Sequence, residues 1–576
     1  MMLETKVINT DVLVVGGGAA GAMAAIKAMA EGVEVLVVAK GPFPSGNTSI
    51  ALWGCSVSLG HADPRDNPRV HFEDTVREGN GLNHRRMVRA WVTEIVELTK
   101  EMDRWGIDLI REGDKFSQSP WPGHTYPRMI HHHNNTGRAV TQCLGKKSKE
   151  IGVPVLEHTI MGGLLKKDEV VVGAWGIRYH TGQLLLIKAK AVVLATGGMG
   201  HLFPRTDNVK TVTGEGYTLA FRAGAELTEM EMCRFVLSIC YPEKLTLASG
   251  FRSPVDFHLI FHLLNKGGAR LYNALGERFT RKRHPDTEER GKGNEQLIRD
   301  IGFEICEGRG SAHGGVYLDV SDVPPEMQKK DFAILWDTAA RIGIDLGYQP
   351  IEVAPHPHDF IGGVRIDETT RTKVQGLFAA GEVTGGSHGS SRMGGQALSE
   401  ALAFGAIAGR NASSYSRRLE KQSPWDEQQL DGVRDRIETW LSAKEGLKPS
   451  ALKRSIQTTA DKYLSVVKNG KGLTKALQEL QRMEGEMLPQ MSAWAEDPKE
   501  RAINLRDAIE ADGQLELAKI MATAAMYRKE SRGGYYGGHY RSDYPSRDDH
   551  NWLKNIILKR EQGAISCYTA PPVMEE

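Results

Sequence analysis

The sequence predicts an α/β chain with a strand–turn–helix–strand unit at its front, a mixed α+β insertion in its middle and a helical C-terminal part. Three observations carry this. Residues 11–40, DVLVVGGGAAGAMAAIKAMAEGVEVLVVAK, read as a short apolar strand, a glycine turn, an alanine-rich helix and a second strand. Buried-type strands running into glycine return at KAKAVVLATGGMG (188–200) and GLFAAGEVTGG (376–386). From about Pro424 onward, apolar residues recur every three or four positions.

The front unit carries the first chemistry. Gly16, Gly18 and Gly21 form G-x-G-x-x-G between a strand and a helix, which gives a tight turn, room for a pyrophosphate at the helix N-terminus, and close helix–strand packing. Ala19 and Ala20 open that helix. At the end of the second strand, where an acid often grips the ribose, stand Ala39 and Lys40, so ribose recognition is expected from elsewhere. The later strands end at Ala195-Thr196-Gly197 and at Glu382, and ligands of an open parallel sheet collect at such carboxyl ends. Together these segments describe a Rossmann-like FAD-binding domain interrupted by an insertion. Between Glu226 and about Pro325 the alternation breaks down into mixed charge and loops, including RKRHPDTEERGKGNE. The segments LDGVRDRIETWLSA, LTKALQELQRMEGEML and LELAKIMATAAMYRKE then predict helices, and the tail after Arg532 reads as irregular. The expected organisation is an FAD-binding domain over 1–225 and 346–420, an insertion over 226–345 and a helical C-terminal domain over 421–576. A final loop, GGSHGSSRMGGQAL (385–398), sets His388 and Arg392 before a helix start and reads as an anion or cofactor seat.

Composition narrows the class. A chain of 576 residues with net charge +1 lacks the basic excess of a nucleic-acid binder. The six cysteines form no C-x-x-C and no ligand cluster, which argues against an internal zinc or iron–sulfur site. Their spacing fits a reducing compartment. No apolar run approaches the roughly 18 residues of a membrane span, so a cytoplasmic protein is expected, membrane-associated only through partner subunits. His131-His132-His133 is an unpromising metal site, because adjacent side chains diverge and no carboxylate accompanies them.

These motifs, with TGEGYTLAFRAGAEL, LYNALGERF, VYLDVSD, HDFIGGVRID, SHGSSRMGGQALSEALAFG, KESRGG and HYRSDYPSRDDHNW, resemble the flavoprotein subunits of succinate dehydrogenase and fumarate reductase, with L-aspartate oxidase and the adenylylsulfate reductase alpha subunit as relatives. The resemblance covers nearly the whole chain. It implies an FAD-binding domain, a capping domain that closes over the flavin, a helical C-terminal domain, and a separate ferredoxin-like iron–sulfur partner. It also implies flavin contacts at Ser45, Gly46, Asn47 and Thr48 within PSGNTSIALWG, at Glu215, and at His388, Arg392, Gly395, Ala397 and Leu398. Asn47 stands where succinate dehydrogenases carry the histidine that tethers FAD, so non-covalent FAD is expected.

The same resemblance places His358 at the histidine of H-x-x-x-G-G and Arg392 at the arginine that grips a substrate carboxylate, a task suited to a planar guanidinium fork. Other substrate positions differ. The family's Phe-His-Pro-Thr falls on Phe235-Val236-Leu237-Ser238, its Thr-Glu pair on Phe261-His262, and its proton-delivering arginine on Asn294, near Lys292. One anion-binding pole is therefore expected to face an apolar one, with His262 and Lys292 as replacement acids and a substrate other than fumarate or succinate. Two alternatives stay open: an electron-transfer module without its own organic substrate, and an L-aspartate oxidase.

Overall fold

A computed structural model describes residues 4–133, 135–247, 257–290, 294–534 and 537–575. The front unit folds as expected: β1 (Thr5–Val15), α1 (Ala19–Ala30) and β2 (Val35–Val38), with β1 and β2 parallel. Strands β3 (Val155–Leu156), β4 (Thr159–Lys167), β5 (Val170–Arg178) and β6 (Gln183–Leu194) complete most of a seven-stranded sheet in the order β3-β2-β1-β6-β5-β4. The apolar run AVVL of β6 lies parallel to VLVV of β1, and both are buried on two faces, which explains why neither alternates.

The chain then passes through α2 (Glu215–Ala223) into a second sheet. Its strands are β7 (Cys233–Tyr241), β8 (Arg270–Tyr272), β9 (Val316–Asp319) and β10 (Ile351–Phe360), in the order β8-β9-β10-β7, with α3 (Asn294–Cys306) packed on it. Strand β10, expected with the second stretch of the FAD-binding domain, pairs antiparallel with β7 instead. The chain rejoins the first sheet at β11 (Leu377–Ala379), parallel to β6. Helix α4 (Gln396–Arg417) follows and lies on α1. Added Cβ atoms at Gly405 and Gly409 would sit 2.4 and 2.3 Å from the α1 carbonyls of Ala20 and Ala24, so only glycine permits this approach.

The three predicted helices are present as α5 (Glu427–Ser442), α7 (Gly470–Arg482) and α8 (Pro498–Tyr527), with a further helix, α6 (Pro449–Tyr463), between the first two. Between them β12 (Val467–Lys468) joins the edge of the second sheet through β13 (Gly537–Arg541). The tail after Arg532 is not irregular. Besides β13 it forms the hairpin β14 (Asn555–Glu561) and β15 (Ala564–Ala570), turned at Gln562-Gly563, both of positive φ, and β14 pairs with Leu227–Thr228. β14 reads as irregular because its partner outside the hairpin, Leu227–Thr228, lies more than 300 residues upstream. Among the described residues, no helix is long and apolar enough to cross a membrane.

Candidate active site

One cavity of about 590 Å³ runs from the glycine turn after β1, along the loop 45–54, to the seam between the two sheets. It is lined by every residue expected at the cofactor except Gly21: Gly16, Gly18, Ala19, Ala20, Ala39, Lys40, Ser45, Gly46, Asn47, Thr48, Ala195, Thr196, Gly197, Glu215, Glu382, His388, Arg392, Gly395, Ala397 and Leu398. Gly21 has the packing role. A Cβ there would meet the Gly16 carbonyl at 2.0 Å. Gly16 takes φ +124°, and its own Cβ would strike the Ala195 carbonyl at 2.0 Å, which locks the first turn against the end of β6.

The cavity fits a dinucleotide. Gly18 caps α1 without a side chain, leaving the helix N-terminus open to an anion. The Thr196 hydroxyl is buried without a hydrogen-bond partner, and such a group is costly unless something binds it. Lys40 does not extend to a ribose: its ammonium lies 2.6 Å from Glu215 and 3.0 Å from Glu510 of α8. Burial works against that charge, and the two carboxylates outweigh it and raise the lysine pKa. Asn47 is fully engaged, donating to Asn208 Oδ1 at 2.9 Å and accepting from the Val209 N–H at 3.0 Å. Glu382 is a half-buried carboxyl on the cavity wall, pushed up to about 7, first by desolvation and then by the charge of Asp359.

At the far end stand the substrate candidates. Arg392 is buried and anchored: Nε donates to Asp359 Oδ2 at 3.0 Å, Nη2 to Asp359 Oδ1 at 3.3 Å and Nη1 to the Met393 carbonyl at 2.8 Å. Asp359 also pairs with Arg234, whose Nε is 2.5 Å from Oδ1. Burial alone would raise the Asp359 carboxyl, but the two guanidinium charges hold it well below the usual range. His358 contacts Asp207 through Nδ1, while its Nε2 lies 4.0 Å from Asp359. The loop bearing Asp207 is itself tied to this strand, because Asn208 donates to the His358 carbonyl at 2.8 Å. His388 sits beneath, its Nε2 3.3 Å from Glu400 and its ring edge-on to Trp91.

Two expectations change here. Val236, Leu237 and Phe261 are buried but do not line the cavity; the face of β7 turned to it carries Arg234 and Ser238. Arg234 lies directly across from Asp359, and the register shift that follows leaves His358 of β10 as the extra residue between Asp359 and Pro357. His262 is exposed, edge-on to Phe332 at 5.3 Å and away from the cavity. Its neighbour Phe261 turns inward, and adjacent helical side chains diverge by about 100°. Lys292 lies outside the described residues. Sequence reasoning missed Arg234 and Asp359; the charge of Arg234 within the largely apolar run CRFVLSICY was a readable signal, whereas Asp359 stands among Glu352, His356 and His358 in its strand and gave none. Among the described residues no group of three or more His, Cys, Asp or Glu could hold a metal; His131 instead meets Ser119 at 2.9 Å, and His132 lies 3.5 Å from Asp108.

Comparison with known proteins agrees with this geometry. The FAD binding domain family model matches residues 11–398, and the fumarate reductase flavoprotein C-terminal model matches 453–575. One subunit of the fumarate reductase (CoM/CoB) of Methanothermobacter marburgensis is 33% identical over 97% of this chain and 98% of that protein. The L-aspartate oxidase of Streptomyces coelicolor is 30% identical over 96% of this chain and 92% of that one. Among solved structures, Mycobacterium smegmatis Sdh1 in complex with UQ1 superposes with TM-score 0.89 at 30% identity, covering 100% of this chain and 95% of that one. The adenylylsulfate reductase of Archaeoglobus fulgidus shares the fold at TM-score 0.75 and 20% identity, over 100% of this chain and 98% of that one. With its glycine turn, its cavity between two sheets and these matches, the chain belongs to the FAD-dependent oxidoreductases of the fumarate reductase and succinate dehydrogenase flavoprotein family.

Proposed function

We propose that the chain is the flavoprotein subunit of an oxidoreductase that acts on a small anionic substrate held at Arg392, and that passes electrons to or from an iron–sulfur partner. The observation that carries this reading is the Arg234–Asp359–Arg392 group at the end of the cavity, beside the His358–Asp207 pair. FAD, held non-covalently along residues 16–20, 45–48 and 195–197, supplies the two-electron redox centre. Arg392 orients the anion by charge and by N–H donation. Asp207 fixes the His358 ring through Nδ1, which leaves Nε2 as the atom that moves or holds a proton. An amide at position 47, held by Asn208 and the Val209 N–H, cannot form a histidyl bond to the flavin, which supports non-covalent attachment. That the Methanothermobacter relative is one subunit of its enzyme supports a separate electron partner.

Two guanidinium groups sharing one carboxylate carry a single net positive charge, which suits one anionic end better than the two of fumarate or succinate. The fumarate reductase activity of the Methanothermobacter relative favours fumarate as a second reading. Anaerobic titration of the reduced protein with mono- and dicarboxylic enoates decides between them. Reoxidation by an enoic acid, lost in Arg392→Ala, is expected. No response to any small molecule, with fast exchange to a ferredoxin, would make the chain an electron conduit, and peroxide from aspartate would make it an aspartate oxidase. Flavin colour left in an acid pellet would refute non-covalent binding.

A further inference from the structure

Asp359 is an unusual resident in a site read as anion-binding, since a carboxylate there competes with the substrate for the same guanidinium. Its two oxygens occupy the Nε and Nη2 donors of Arg392, and the Met393 carbonyl takes one hydrogen of Nη1. The Nε edge, which could otherwise grip a carboxylate in bidentate fashion, is therefore filled from within the chain. What remains is the Nη1–Nη2 edge, with one N–H on each nitrogen. Asp359 also pairs with Arg234, its cross-strand partner in the β7–β10 ladder, and both Arg234 and Arg392 line the cavity. Around this group His358 contacts Asp207, His388 lies 3.3 Å from Glu400, and Glu382 adds a further carboxyl to the cavity wall within the field of both Asp359 and Arg392.

We propose that Asp359 is a specificity-determining residue: by sharing its carboxylate between Arg234 and Arg392 it leaves this three-residue group with one net positive charge and fills the Nε edge of Arg392, so the site selects a substrate with one carboxylate or comparable monoanion and discriminates against a dianion. This rests on the reading that Arg392 binds the substrate anion. A charge removed within a few ångströms of a partly buried ligand changes its affinity by one to two orders of magnitude, and the effect grows with ligand charge. Asp359→Asn should therefore favour dianions selectively, Arg234→Gln should weaken all anions, and Arg234→Gln/Asp359→Asn should restore the single positive charge and the original preference.

The test uses the FAD-loaded oxidised protein and two ligands of one skeleton, crotonate and fumarate, with dissociation constants read from the flavin difference spectrum. In the wild type crotonate is expected to bind at least as tightly as fumarate. In Asp359→Asn the ratio of affinities should move toward fumarate by tenfold or more, while Asp359→Glu keeps the wild-type ratio. Asp359→Glu keeps a carboxylate for both guanidinium groups and so guards against misfolding as the cause of any change, and flavin content reports the fold of each variant. If Asp359→Asn changes both affinities equally while Arg392→Ala abolishes both, the proposal is overturned and the anion reading stands. If Arg392→Ala leaves binding unchanged, or neither acid perturbs the wild-type flavin, the anion reading fails and takes the proposal with it.

Discussion

Replacing Lys40 by methionine should loosen the junction between the FAD-binding sheet and the C-terminal helices. The lysine follows β2, and its ammonium joins Glu215 at the start of α2 to Glu510 on α8. The three side chains are 12%, 12% and 5% exposed, so the charges are largely screened from water. Removing one member of a buried ionic group costs about 3–5 kcal/mol, because the partners stay buried and uncompensated. Glu510 keeps Lys453, and Glu215 keeps only the Thr213 hydroxyl, so the lower end, about 3 kcal/mol, applies. With an unfolding entropy of roughly 2 cal/mol/K per residue, that lowers the midpoint of a cooperative transition of the whole chain by about 2–3 °C. Differential scanning fluorimetry of Lys40→Met and of Lys40→Met/Glu215→Gln measures it. The double variant should recover at least half the loss, since the orphaned carboxylate is gone. A single variant melting with the wild type, or a double variant no better than the single, would refute the account.

Gly16→Ala should abolish FAD retention on gel filtration, because its Cβ lands 2.0 Å from the Ala195 carbonyl at a positive φ and either the turn or the end of β6 must move. Stability of the FAD-free protein should fall as pH rises from about 4.5 to about 7, since Glu382 ionises at about 7 when folded against an ordinary 4.5 when unfolded. The full loss is about 3 kcal/mol, complete once pH passes the folded value. Urea midpoints across that window should show a slope that Glu382→Gln flattens, and an unchanged slope would rule out Glu382 as its source.

Much of this was legible in the chain because it depends on local pattern. The glycine spacing at 16, 18 and 21 announced the turn, and the cavity wall gathered all but one of the expected cofactor residues. Helices α5 and α7 were readable from apolar spacing, since each buries one stripe against its neighbours, and α8 from its long apolar run, which is buried on nearly every side from Ala508 to Ala525. The hairpin of β14 and β15 was not, because its strands are held by contacts far away in sequence.

The sequence by itself determined the family, the cofactor cradle and the candidacy of Arg392 and His358, because each rests on short runs whose backbone geometry and residue chemistry are local. Tertiary structure alone decided what faces them. The pairing of β7 with β10 sets Arg234 across from Asp359 and leaves His358 of β10 as the extra residue of a one-residue shift, Val236 and Leu237 sink into the core, and His262 turns out to solvent. Which side chains share a cavity depends on the pairing of strands more than a hundred residues apart. A slip of one residue there changes the face each side chain occupies without changing any local motif.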